Sequence, residues 1–146
     1  MKYEKYILND SLGYLTGVAH WKLHKKLISR FNMSGYDVTP DQWLVLISLL
    51  NDGEMYQSQL AICHQKDRAG IKRLVDHLVN KGLVHRSSFG ADTRKNIINL
   101  TDKGNEIVQI LNGLAKESLG EALRGFSESE IMLLKRLLND LIKNAD

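Results

Sequence analysis

A chain of 146 residues, 43% hydrophobic and 25% charged, suits one compact unit or one domain with helical extensions. Nothing in it approaches the roughly 20 consecutive apolar residues of a membrane span, and its start, MKYEKYILND, lacks the apolar run of a secretory signal. Its one cysteine, Cys63, allows neither an internal disulfide nor a Cys-x-x-Cys zinc pair, so a cytoplasmic protein is expected. The net charge of +3 is unevenly spread. Residues 57 to 100 carry eight lysines and arginines against three acids, whereas residues 1 to 56 are neutral and residues 101 to 146 carry −2. A basic centre between neutral and acidic flanks is the footprint of a nucleic-acid module on a scaffold with another task. An ordinary basic surface gives the same count.

In chain order, Leu12, Leu15, Ala19, Leu23 and Leu27 keep helical spacing, and Tyr14, Val18, Trp21 and Ile28 form a second stripe. A long helix from Leu12 to about Phe31 with two apolar faces follows, broken by Asn32 to Asp37. Thr39-Pro-Asp-Gln42 supplies a capping box with proline at the first helical position, ahead of a short apolar helix, Trp43 to Leu50. Asn51-Asp-Gly53 is a turn signal, and Gln57 to Ile62 is a third, short helix. Asp67 to Lys81 is the most regular segment. Ile71, Leu74, Val75, Leu78 and Val79 repeat as on a helix packed along one side, with Asp67 as N-cap and Gly82 as the stop. Leu83 to Ser87 and Asn96 to Leu100 read as two short strands joined by a polar link. Thr101 caps a long helix interrupted near Gly125, and Ser127-Glu-Ser-Glu130 opens the last one. That helix has apolar residues on too broad a surface for one neighbour, from Ile131 to Ile142, which predicts a second partner.

Helix, turn, amphipathic helix, glycine and polar-tipped hairpin is the order of a winged helix-turn-helix, whose second helix enters the major groove. With Ile71, Val75 and Leu78 inward, a helical wheel turns Lys66, Ala69, Arg73 and Asn80 outward and leaves Lys72 on the flank. Arginine can pair with guanine, lysine can neutralise phosphate, and Ala69 with Gly70 permits close approach. Arg94 and Lys95 near the hairpin tip would reach phosphate or the minor groove. A carboxylate is unfavourable beside DNA unless it orients a cation, so Asp92 is expected to hold Arg94 or the wing backbone. The candidate DNA-binding residues are Lys66, Arg68, Ala69, Gly70, Lys72, Arg73, Asp92, Arg94 and Lys95. A solvated basic face is the plain alternative.

Leu74-Val-Asp-His-Leu78, Lys81-Gly-Leu-Val84, Arg86, Asp92-x-Arg94 and Leu100-Thr-x-x-Gly104, in this order and spacing, resemble the MarR family of bacterial regulators. The motifs cover about fifty central residues, and the helix order extends the likeness to nearly the whole chain. The resemblance implies a mainly α fold with a small β-hairpin wing: a winged helix-turn-helix on a helical dimerisation scaffold. Residues 1–38 would form the N-terminal dimerisation helix, 39–104 the DNA-binding module and 105–146 the C-terminal dimerisation helices. It further implies a homodimer on a pseudo-palindromic double-stranded DNA operator with half-sites roughly 34 Å apart. A repressor released by a small organic effector, bound between the dimer helices and the DNA-binding lobe, is expected. The chain departs from the family pattern in its recognition helix, where Ala69-Gly70 and Ile71-Lys72 replace hydroxyls and add a cation. Gly70 costs about 1 kcal/mol of helix propensity, which suggests an adaptable first turn.

His20 and His24 lie one helical turn apart, a spacing that holds zinc only with a further ligand; no metal or cofactor is expected. His20, Trp21, His24, Tyr36 and Trp43 are candidates for an effector site, ordinary packing being the alternative. Cys63 beside His64 is expected to be buried filler between two packed helices. No nucleophile–base pair or phosphate loop suggests an enzyme. The rival function is a winged-helix protein–protein adaptor, against which Lys72, Arg73 and Arg94 argue.

Overall fold

The computed structural model describes residues 5–88, 90–92 and 95–146. After a single 3-10 turn at Leu8–Asp10, helix α1 spans Leu12–Met33, its first turn closed by Ser11 accepting from the Tyr14 amide at 3.2 Å. Helix α2 spans Pro40–Asp52 and has the expected capping box, Thr39 with Gln42, and proline at its start. Gly53, at φ +77°, ends it in a conformation that suits glycine. Strand β1, Met55–Tyr56, precedes α3, Gln57–Cys63, and α4 covers Arg68–Asn80. Strands β2, Val84–Ser87, and β3, Ile97–Leu100, lead to α5, Asp102–Ala122, and α6, Glu128–Asn144, whose first turn carries the Ser127–Glu130 capping box.

The three strands form one antiparallel sheet in the order β1-β3-β2. β2 and β3 pair Val84 with Leu100 and Ser87 with Ile97, which is the hairpin expected from the sequence. β1 was not expected: its two residues pair Met55 with Ile98 and Tyr56 with Ile97, too short a run for alternation to register. The helix at α1 also runs two residues beyond the expected Phe31, to Met33, before Gly35 at φ +84° turns the chain.

One buried cluster joins the parts. Ile71, Val75 and Leu78 of α4 meet Val45, Leu46 and Leu49 of α2, Leu60 of α3 and Ile98 of the sheet, with Phe31 of α1 and Val108 and Leu111 of α5 in the same core. The winged module is thereby fixed to the ends of the two long helices. Helix α6 is different: none of its residues is buried, and it makes no substantial contact with another described element. Together with the exposed Leu12 and Leu15 of α1, its Met132, Leu133, Leu137 and Leu141 leave a wide apolar surface uncovered.

Candidate nucleic-acid interface

The helix-turn-helix is built from α3 and α4, and its turn is held to α2 from two sides. His64 Nε2 lies 2.9 Å from Ser48 Oγ, and burial pushes this imidazole below its ordinary pKa. Lys66 Nζ donates to Asp41 Oδ2 at 3.2 Å. Gln65, at φ +51°, takes the left-handed conformation that lets the chain reverse so tightly.

Asp67 caps α4 by accepting the Gly70 amide at 2.7 Å. A Cβ at Gly70 would stand 2.7 Å from that same carboxylate oxygen, so glycine lets the cap close at this length. With Ile71, Val75 and Leu78 turned into the core, α4 presents Arg68, Ala69, Lys72 and Arg73 to solvent. Lys66 is also exposed, but it lies in the turn before α4 rather than on the helix, because the backbone becomes helical only after the Asp67 cap. The Arg73 side chain has no ion pair among the described residues and is available for a ligand.

In the wing, Asp92 is half-buried and its carbonyl accepts the Lys95 amide at 3.1 Å, while Lys95 is exposed. Arg94 lies outside the described residues. Two residues missing from the candidate list organise the surface. Asp76 takes a hydrogen bond from Lys72 Nζ at 2.8 Å and sits 2.6 Å from Arg86 Nη2 of β2. The four-residue step from Lys72 to Asp76 was legible as a helical ion pair. The reach of Arg86 from the strand was not, because it depends on how β2 packs beside α4.

Three effector candidates converge. His20, His24 and Trp43 line a cavity of 240 Å³ between α1, α2 and α5, together with Leu27, Ala115 and Ser118. The imidazole centroids are 5.8 Å apart, and Trp43 is fixed by donating to Asn112 Oδ1 at 2.9 Å and by an edge-on contact with Phe31. Trp21 instead lines an open basic groove, with the Lys25 ammonium 5.1 Å from its ring centroid. Tyr36 is partly buried against the core and lines neither. Among the described residues, no three His, Cys, Asp or Glu side chains are grouped to hold a metal ion, and no helix is long and apolar enough to cross a membrane. Cys63 corrects an expectation. It is exposed rather than buried, since α3 turns Gln57 and Leu60 inward and leaves Ile62 and Cys63 on its outer side.

The model of the MarR family matches residues 38–95, from the start of α2 into the wing. A solved structure described as a probable transcriptional regulator from Pseudomonas aeruginosa is 30% identical, with a TM-score of 0.80 over 92% of this chain and 99% of that one. A mutant of E. coli MarR complexed with operator DNA is 25% identical, with a TM-score of 0.79 over 89% and 92% of the two chains. Bordetella bronchiseptica BpsR, whose DNA binding is regulated by 6-hydroxynicotinic acid, shares the fold at 21% identity and a TM-score of 0.82 over 94% and 97%. From a capped recognition-type helix, a three-stranded wing sheet and these matches, it follows that the chain belongs to the MarR family of transcriptional regulators, which are not enzymes.

Proposed function

We propose that this protein is a cytoplasmic, homodimeric repressor that binds a pseudo-palindromic double-stranded DNA site and leaves it when a small organic effector binds. The observation that carries the reading is α4: a well-capped helix with Ala69 and Arg73 on its open face, beside a wing bearing Lys95, while Lys72 lies at the flank paired with Asp76. Small residues beside long cations allow close approach to base edges, and Arg73 has the donor geometry for guanine. Arg68, Gly70, Lys66, Asp92 and Arg94 complete the proposed surface, the cations toward phosphate and Asp92 toward the wing. The scaffold segments, 1–38 and 105–146, would bring two such surfaces to half-sites about 34 Å apart. For the effector, the 240 Å³ cavity offers apolar walls with two imidazoles at one side, which suits a small aromatic acid or phenol better than a large ligand. That one relative was solved with operator DNA, and that the DNA binding of another is regulated by 6-hydroxynicotinic acid, supports reading these surfaces as sites for such ligands.

The test begins with selection of bound duplexes from a random pool, then titration of the best one at several salt concentrations. Arg73→Ala is expected to weaken binding to the selected duplex by about 1–3 kcal/mol and to scrambled duplex much less. Lys95→Ala is expected to weaken both and flatten the salt dependence by about 0.9 per subunit. Equal losses on both duplexes for Arg73→Ala would remove its reading role. Failure to bind any duplex would leave the protein–protein adaptor.

A further inference from the structure

The charges on the DNA-facing side are not independent. Lys72 of α4 and Arg86 of β2 both engage Asp76, each on its own carboxylate oxygen, at 2.8 and 2.6 Å. Their side chains differ in freedom: Lys72 is 54% exposed, whereas Arg86 is only 20% exposed and set into the sheet opposite Ile98. A guanidinium so enclosed cannot turn to a phosphate in solvent, and it needs the carboxylate it has. Lys72 is the partner that can leave. The carboxyl of Asp76 is held below the usual carboxylate range, by the Lys72 hydrogen bond first and by Arg86 as well, so the anion persists wherever the protein is folded near neutrality.

We infer that Asp76 is a specificity-determining positioning residue: it ties the recognition helix to the first wing strand through Arg86 and withholds Lys72 from indiscriminate contact with DNA phosphate. The inference rests on the reading of α4 as the DNA-facing helix. A phosphate approaching Lys72 competes with a charge-assisted hydrogen bond already made, so the cation adds little to sequence-independent binding. The pair also fixes the ammonium along the helix toward Asp76, which lies about two turns from Ala69 at the N-terminal end. Selectivity then comes from Arg73, which has no ion pair among the described residues, rather than from the sum of the basic charge.

The experiment compares the unsubstituted protein with Asp76→Asn, Lys72→Met and the double variant, by fluorescence anisotropy on the selected duplex and on a scrambled one across salt. The amide of Asp76→Asn keeps an oxygen for Arg86 and loses the charge that holds Lys72. Binding to scrambled duplex is expected to tighten, its log–log salt slope to steepen by about 0.9 per subunit, and selectivity to fall by about threefold or more. Adding Lys72→Met should return the slope to the starting value, and Lys72→Met alone should leave it nearly unchanged. A purely structural Asp76 predicts parallel losses on both duplexes with an unaltered slope, and that result overturns the inference. If Asp76→Asn does not fold by circular dichroism, Lys72→Met decides the matter: a slope flatter by about 0.9 per subunit means Lys72 already binds phosphate and overturns it. An unsubstituted protein that binds no duplex selectively refutes the functional reading and this inference together. Selective binding with an unchanged slope in Asp76→Asn refutes this inference alone.

Discussion

At Gly70 two effects of similar size oppose each other. Glycine in a helix costs about 1 kcal/mol relative to alanine, and an N-cap such as Asp67 contributes about the same. Because a Cβ at position 70 would crowd the capping oxygen at 2.7 Å, alanine gains the first only by disturbing the second. Gly70→Ala is therefore expected to change stability by less than about 0.5 kcal/mol in the intact protein, yet to stabilise Asp67→Ala protein by about 1 kcal/mol. Urea denaturation of the four members of this cycle measures the coupling; strict additivity would sink the account. The helix cap at Asp67 was legible from residue order, whereas the reason for Gly70 was not, since it is a distance between a side chain and an atom the residue lacks. Cys63 failed in the sequence reading for a related reason. Its neighbours are apolar, but facing direction on a seven-residue helix depends on where the next element docks.

Between elements, two junctions hold the wing and the scaffold in register. Thr101 donates its hydroxyl to the Gly82 carbonyl at 2.6 Å and accepts the Gly104 amide at 2.9 Å, so a single side chain joins the stop of α4 to the start of α5. Gly104 is required there because a Cβ would collide with the Leu83 backbone carbonyl. This is the physical content of the Leu-Thr-x-x-Gly motif, and it made the hairpin and α5 readable in advance. The α1–α5 clamp was not readable, since Lys26 and Arg30 meet Glu121 from far along the chain. Lys26 pairs with it at 2.6 Å, Arg30 also binds it, and the two cations hold its carboxyl down at about 2 against an ordinary 4.5. A carboxyl depressed in the folded state contributes stability that is present above its unfolded value and is lost as pH falls through the folded value. The window here is thus about 4.5 down to 2. Glu121→Gln is expected to flatten the acid limb of stability in that window, the two proteins converging below it, with only a modest loss at neutral pH because the group is exposed and screened. Chemical denaturation at pH steps across the window checks this; an acid limb identical in both proteins would show that the clamp does not contribute.

For the whole molecule, the uncovered face of α6 is the largest feature without an internal explanation. Met132, Leu133, Leu137 and Leu141 are each between 44% and 72% exposed, on a helix that none of the described elements covers. A contiguous apolar surface of this kind marks an interface, and fully burying each such side chain stabilises by about 1.5–3 kcal/mol. The second copy proposed above would be the economical occupant, because a two-fold interface uses the same patch twice and would also place two copies of α4 for a symmetric DNA site. Leu137→Glu with Leu141→Glu sets charges into that face without touching the buried core around Val75 and Leu46. The variant is expected to sediment as a folded monomer and to keep its weak affinity for an isolated half-site. It should lose most of its affinity for the full site, since linking two modules raises effective affinity by about 10²–10⁴ only while both can engage together. Sedimentation velocity and anisotropy on half and full duplexes provide the readout. A variant that stays dimeric, or a monomer that binds the full site as tightly as the unsubstituted protein, would show that α6 is not what brings the two reading surfaces together.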